Sequence, residues 1–181
     1  MKKCLIAALG AILLTFPSAS KAQGTKAAAD VKTFEFEVRL NPALPLSCRN
    51  GESADLTLGF GLEARWNLQR LPMDVGVAVN SSGAYRSGWE YGTLALTGVT
   101  DWNFNRGGKV SPYVGLGLGI GVLNSNALDE DDSQAAFVAM PRVGVELFRH
   151  VRIGVSLNLS KSRFNNAALS VGYAFGGGLR K

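Results

Sequence analysis

From Thr33 onward the chain alternates apolar and polar positions with a period of two, the mark of strands that turn one face to an apolar medium. In the first run, Thr33 to Leu40, Phe34, Phe36, Val38 and Leu40 share one side, and Glu35, Glu37 and Arg39 the other. The second run, Leu56 to Asn67, sets Leu58, Phe60, Leu62, Ala64 and Trp66 against Gly59, Gly61, Glu63, Arg65 and Asn67. The third covers Met73 to Asn80. The fourth, around Thr93 to Phe104, places Leu94, Leu96, Trp102 and Phe104 on one face. The fifth is the most regular, with Val114, Leu116, Leu118, Ile120 and Val122 separated by Gly115, Gly117, Gly119 and Gly121. The sixth opposes Phe137, Ala139, Val143, Val145 and Leu147 to Met140, Arg142, Gly144 and Glu146. The seventh opposes Val151, Ile153, Val155, Leu157 and Leu159 to Arg152, Gly154, Ser156, Asn158 and Ser160. The eighth opposes Leu169, Val171, Tyr173 and Phe175 to Ser170, Gly172 and Ala174.

These runs predict eight strands, several near the ~9–11 residues that a tilted membrane strand needs. Their connections alternate in length. Asn41–Asp55, Ser81–Gly92, Asn124–Gln134 and Lys161–Asn166 are expected to be loops at one end; Leu68–Pro72, Asn105–Lys109 and Phe148–His150 are short turns at the other. Outer-membrane barrels have this asymmetry, with short periplasmic turns and longer outer loops. The fold class that follows is all-β: an eight-stranded antiparallel up-and-down transmembrane β-barrel with both termini in the periplasm.

A soluble barrel alternates too, so the chemistry of the faces must decide which one points inward. The polar face carries Glu35, Glu37, Arg39, Glu63, Arg65, Arg142, Glu146 and Arg152, mixed in sign, with glycines between them. Buried charges are tolerated only when paired. Acids facing bases would fill a narrow lumen, and the glycines would leave room for the long side chains. The opposite face is aliphatic and nearly uncharged, as a lipid-facing band must be. Phe34, Trp66, Trp102, Phe104, Tyr173 and Phe175 all fall on that outward register near the short-turn rim, where an aromatic girdle is expected.

The N-terminus reads as an export signal over residues 1–22. Lys2 and Lys3 precede an apolar run from Cys4 to Phe16, Pro17 and Ser18 break it, and Ser20 and Ala22 suit the −3 and −1 positions of a cleavage site before Gln23. Residues 23–32 read as a flexible leader, 33–175 as the barrel and 176–181 as a C-terminal tail. Removing Lys2, Lys3 and Lys21 lowers the formal charge from +5 to +2, so the basic composition implies no nucleic-acid partner. Cys4 leaves with the signal, and Cys48 then has no partner for an internal disulfide.

Two segments resemble a known family. Ser111-Pro112-Tyr113-Val114-Gly115-Leu116-Gly117-Leu118-Gly119 and Leu169-Ser170-Val171-Gly172-Tyr173-Ala174-Phe175 are similar to strands of the small outer-membrane β-barrels of the OmpA/OmpX type. The resemblance implies location in the bacterial outer membrane. It also implies contact with outer-membrane lipid and lipopolysaccharide, and a final strand (Gly172, Tyr173, Phe175) read by the barrel-assembly machinery. The chain departs from the pattern by continuing through Gly176-Gly177-Gly178-Leu179-Arg180-Lys181, an ending that resembles Bacteroidetes-type barrels.

Fold does not fix activity, and three functions compete. A structural or loop-mediated role is expected first, since an eight-stranded barrel is just wide enough to be filled by side chains. Tyr85, Trp89 and Tyr91 in the second outer loop would suit recognition. The alternative is a narrow porin-like channel, with the glycine face of the fifth strand leaving a gap. A lipid-modifying enzyme ranks last: the one histidine, His150, sits in a tight turn with no serine near it in sequence. No catalytic residue, cofactor or metal site is expected. Asp129-Glu130-Asp131-Asp132 lacks the spacing and glycine of a calcium-binding hand and reads as a solvated loop. The protein is expected to be a monomer with no specific ligand legible in the sequence.

Overall fold

The computed structural model describes residues 31–46, 54–86, 89–106, 108–127, 130–161 and 164–179. The export signal, Cys48 and most of the leader lie outside them. Eight strands form one closed antiparallel ladder. They are β1 (Phe34–Pro45), β2 (Thr57–Asn67), β3 (Met73–Arg86), β4 (Trp89–Asn103), β5 (Val110–Ala127), β6 (Glu130–Leu147), β7 (Val151–Asn158) and β8 (Asn166–Phe175). A two-residue stretch, Ala54–Asp55, carries the line of β2 upward along β3. Each strand pairs with its neighbours in sequence, and β8 returns to β1 through pairs such as Val38↔Tyr173 and Arg39↔Gly172, so the backbone leaves no open seam over this span.

Alternation sets which face points where. Along β1, Phe34, Phe36, Val38 and Leu40 are exposed while Glu35, Glu37, Arg39 and Asn41 are buried. The same parity runs around the barrel, so Leu58 (75% exposed) and Ile120 (68%) stand on the outside as fully as any lysine on a soluble protein. Among the described residues the buried apolar cluster comprises Ala78, Val99 and Met140. Such an exterior is stable against hydrocarbon and not against water.

Two expected loops are strand over their described residues, and the expected Asn41–Asp55 loop begins with the strand residues Asn41–Pro45. The sequence predicts loops at Ser81–Gly92 and Asn124–Gln134 because the hydrophobic alternation ends there. The backbone ladder nevertheless continues to Arg86↔Trp89 and Ala127↔Glu130. Alternation in hydrophobicity records contact with lipid, whereas strand pairing needs only backbone hydrogen bonds, so hairpins can rise past the apolar zone without a hydrophobic signal. β3 to β6 thus stand taller, at 14 to 18 residues, than β7 and β8, at 8 and 10. The side chains of Tyr85, Trp89 and the acidic run 129–132 lie outside the described residues. In the last outer connection, Phe164 folds back and is buried edge-on against Tyr91, with ring centroids 5.4 Å apart.

The leader and tail also differ from expectation at their inner ends. Val31 bridges Leu179, and the Lys32 amide donates to the Gly178 carbonyl at 3.1 Å, so the residues just before β1 and just after β8 pair with each other beneath the barrel. Gly176 and Gly178 take positive φ angles of 83° and 112°, which lets the tail turn under the rim. On the same rim Phe148 (φ 53°) and Arg149 (φ 66°) occupy the centre of the β6–β7 turn in the left-handed region, closed by a 3.1 Å bond from the His150 amide to the Leu147 carbonyl. Asn-Gly is the relaxed choice there. The double substitution Phe148→Asn, Arg149→Gly is therefore expected to raise stability against urea by roughly 1 kcal/mol. An unchanged or lower unfolding midpoint, followed by tryptophan fluorescence, would contradict this.

Candidate functional site: the charged lumen

The inward parity of the strands brings charged side chains from five strands to one level of the lumen. Glu63 of β2 is the centre. Arg39 of β1 donates to its Oε2 at 2.7 Å, and Arg142 of β6 donates to both oxygens at 2.5 and 2.9 Å. Arg142 also donates to Asp101 of β4 through Nε and Nη2 at 2.7 and 2.8 Å, and Arg152 of β7 reaches the same carboxylate at 2.7 Å. Arg65 of β2 bonds Glu37 and Glu35 of β1 at 3.0 and 2.7 Å. Arg152 and Glu37 are joined at 3.4 Å. Four guanidinium groups and four carboxylates thus cross-link the barrel wall. Glu63, Arg65, Asp101 and Arg152 are all under 2% exposed, so the centre of the network is buried, while Arg39 and Arg142 also line the cavity above it and Glu35 the one below.

Seven of the eight charged residues expected in the lumen join this network closely. Glu146 is the outlier: it faces inward near the lower rim, its side chain 17% exposed, and Arg65 lies 3.9 Å away. Three participants were absent from the sequence assignment. Asp101 holds two arginines. Asp74 of β3 pairs with Arg106, which comes from the β4–β5 turn, and accepts from Asn103 at 2.7 Å. Arg106 also donates to the carbonyls of Leu68 and Leu71 at 2.7 Å and of Met73 at 2.9 Å, so it clamps the neighbouring β2–β3 turn. Strand parity would have found Asp74 and Asp101; nothing periodic marks Arg106.

The remaining walls fit around the charges. A Cβ at Gly172 would lie 2.5 Å from Glu37 Oε1, and one at Gly61 would lie 2.7 Å from Arg39 Nε. Tyr113 of β5 lies flat beneath Arg152, whose Cζ sits 3.8 Å from the ring centroid, a cation–π contact. The glycine face of β5 leaves no gap: Met140 and Val99 pack where a Gly117 side chain would go, and Val138 does so at Gly121. The two described cavities lie to either side of the network, the lower by Asp74 and Arg106, the upper by Asn41 and Ser82. Above the upper one, Asn158 bonds Asn166 at 2.7 Å, and Asn166 bonds Ser82 at 3.3 Å.

The expected girdle residues all stand on the outside of the short-turn rim. Phe34 packs on Trp66 at 5.4 Å, and Tyr173 meets Phe175 edge-on at 4.9 Å. Trp102 and Phe104 are exposed on the same side. His150 stacks on Tyr173, its ring tilted only 8° away from parallel, and its Nδ1 lies 3.1 Å from the Ala174 carbonyl.

Removing one member of such a network leaves a buried opposite charge behind, which costs about 3–5 kcal/mol. Glu63→Gln takes from Arg39 its close carboxylate and leaves Arg142 to Asp101 alone, and is expected to destabilise the barrel by an amount in that range. Glu146→Gln should cost less than about 1 kcal/mol, because its ion pair with Arg65 is long and its side chain is partly exposed. Urea unfolding in detergent or vesicles separates the two, and equal costs would contradict the assignment of Glu63 as the centre.

Residues 4–175 match the model of the outer membrane protein β-barrel domain. No curated protein matches the sequence significantly. Among solved structures the chain is similar to Neisserial surface protein A, with 14% identity and a TM-score of 0.57 over 81% of this chain and 98% of that one. It is also similar to the N-terminal β-barrel domain of Pseudomonas aeruginosa OprF, with 14% identity and a TM-score of 0.53 over 80% and 99%. The outer membrane enzyme PagL follows, with 15% identity and a TM-score of 0.50 over 78% and 98%. At such identities the structures share the fold alone, and one of them is an enzyme. The family model, by contrast, spans nearly the whole chain, and the inside-out distribution of charge agrees with it: this chain belongs to the outer-membrane β-barrel family of bacteria.

Proposed function

We propose that the protein is a closed, non-conducting barrel that stabilises the envelope and offers its tall outer hairpins as a contact surface. The observation that carries this reading is the buried network around Glu63, which ties five strands together across the lumen. A conduit for solutes would need a continuous wet path, and the charges that would line one are instead bonded to each other. The hairpins β3–β4 and β5–β6 rise beyond the short side of the wall and supply the surface for partners. Lipopolysaccharide and outer-leaflet lipid are the surroundings such a surface meets. Gly172, Tyr173 and Phe175 are the residues the assembly machinery would read on the last strand. The N-terminal signal would be cleaved before Gln23, leaving a monomer with no cofactor.

Non-enzymatic action is part of the same proposal. His150 is engaged by Tyr173 and the Ala174 carbonyl at the short-turn rim, the end opposite the outer hairpins. His150→Ala should leave the lipid composition of the membrane unchanged by mass spectrometry, and altered acyl chains would point to an enzyme. In planar bilayers the purified protein is expected to be silent. Steady discrete openings would refute the closed-barrel reading and favour a narrow channel.

A further inference from the structure

The glycine triplet after β8 is a motif that neither the lumen nor the strand ladder explains. Gly176 and Gly178 turn the chain under the rim through their positive φ angles, and Gly177 has no room for a side chain, because a Cβ there would run into the Arg149 carbonyl oxygen. The three glycines thus serve one path, which takes the tail past the β6–β7 turn and back toward the start of β1. There Val31 and Leu179 form an antiparallel bridge, and the Lys32 amide donates to the Gly178 carbonyl. The leader is tied in turn to β2. The Asn67 side-chain amide donates to the Lys32 carbonyl at 2.7 Å, and the Asn67 backbone amide donates to the Thr33 carbonyl at 2.8 Å.

These two short segments lie against the lower cavity. Val31 and Gly178 line it together with Glu35, Asp74, Arg106 and Glu146, and Val31 is buried. An apolar side chain offers no polar contact to such a cavity; what it does there is cover it. The cover is lightly held. Leu179 is 41% exposed, and among the described residues one backbone hydrogen bond joins the tail to the leader. A segment with so few buried contacts opens at low free energy while the rest of the protein stays folded. Asn67 anchors the leader, so the tail is the part free to swing, and the glycines supply its hinge.

We propose that residues 176–179 form a hinged lid on the lower cavity, with Gly176–Gly178 as the hinge and the Val31–Leu179 bridge as the latch. Closed, the lid holds water away from the lower side of the charged network, where water would weaken the ion pairs. Open, it exposes the cavity to the compartment at the short-turn end, which is the periplasm in the barrel reading, while the network above still fills the lumen. The test places a reporter thiol in the cavity by Ser111→Cys, with Cys4 and Cys48 replaced by serine; Ser111 lines the cavity and is 3% exposed. Its modification by methyl methanethiosulfonate in the folded protein in detergent micelles is followed by mass spectrometry. Ending the chain at Gly176 removes the latch and is expected to speed modification at least about tenfold, because the reagent no longer waits for the lid to open. The full-length Gly177→Ala protein, whose added methyl meets the Arg149 carbonyl where the lid seats, should also react faster than the parent. Both variants should keep the SDS resistance of a closed barrel. Equal rates in the three proteins would overturn the proposal, as would a parent thiol that reacts as fast as in the urea-unfolded chain. Loss of SDS resistance on shortening would overturn it too, since the tail would then hold the barrel itself. Failure of the barrel reading looks different: the parent protein would show no heat-dependent shift in mobility.

Discussion

Everything in this barrel is arranged around the need to fill a narrow lumen with charge that cancels. A closed ladder of eight strands has an interior only wide enough for side chains, and that interior is enclosed by a wall whose outer face must be apolar. Filling it with apolar residues would make each strand hydrophobic on both faces, and the unfolded chain would aggregate before reaching the membrane. Filling it with Glu63, Asp101 and the arginines around them keeps each strand amphipathic. It also fixes register, because a slip of one residue would turn Glu63 and Arg65 toward lipid and Leu62 and Ala64 toward the network. A buried ion pair is weak evidence for stability in itself. Here its force lies in specificity, since only one pairing of strands brings Arg142 between Glu63 and Asp101.

The rest of the interior follows from that constraint. Glycines at 61 and 172 stand where a side chain would strike Arg39 or Glu37, and Tyr113 supplies a flat floor under Arg152. Apolar filling takes places the charges do not reach, as around Met140 and Val99 beside the glycines of β5. The two ends then serve different purposes. The outer end rises in hairpins freed from the apolar pattern, and the inner end carries the outward aromatic rings and the left-handed Phe148-Arg149 turn.

Much of this could be read from the sequence because lipid imposes a strict parity. Glu37, Arg39, Glu63, Arg65, Arg142 and Arg152 were assigned to the lumen from alternation alone, and each is buried there. Asp101 escaped because the middle of its strand, Thr97-Gly98-Val99-Thr100, blurs the pattern: Val99 points inward, and the outward positions are Gly98 and the small polar Thr100. Arg106 escaped because it works from a turn, where no period exists. The upper hairpins are not legible as strands because the hydrophobic signal stops while the backbone ladder goes on. Phe164, a lone aromatic in a connection, gave no sign that it would fold back and be buried on Tyr91.

A double-mutant cycle between Glu63 and Arg142 tests the network most directly. Glu63→Gln, Arg142→Gln and the double variant would be unfolded in urea beside the parent protein. The account predicts strong coupling: the double variant should recover roughly 1.5–3 kcal/mol of the summed single losses, because neither charge is then left alone in the lumen. Losses that add to within about 0.5 kcal/mol would mean that the two residues act independently, and the network could not be what holds the lumen together.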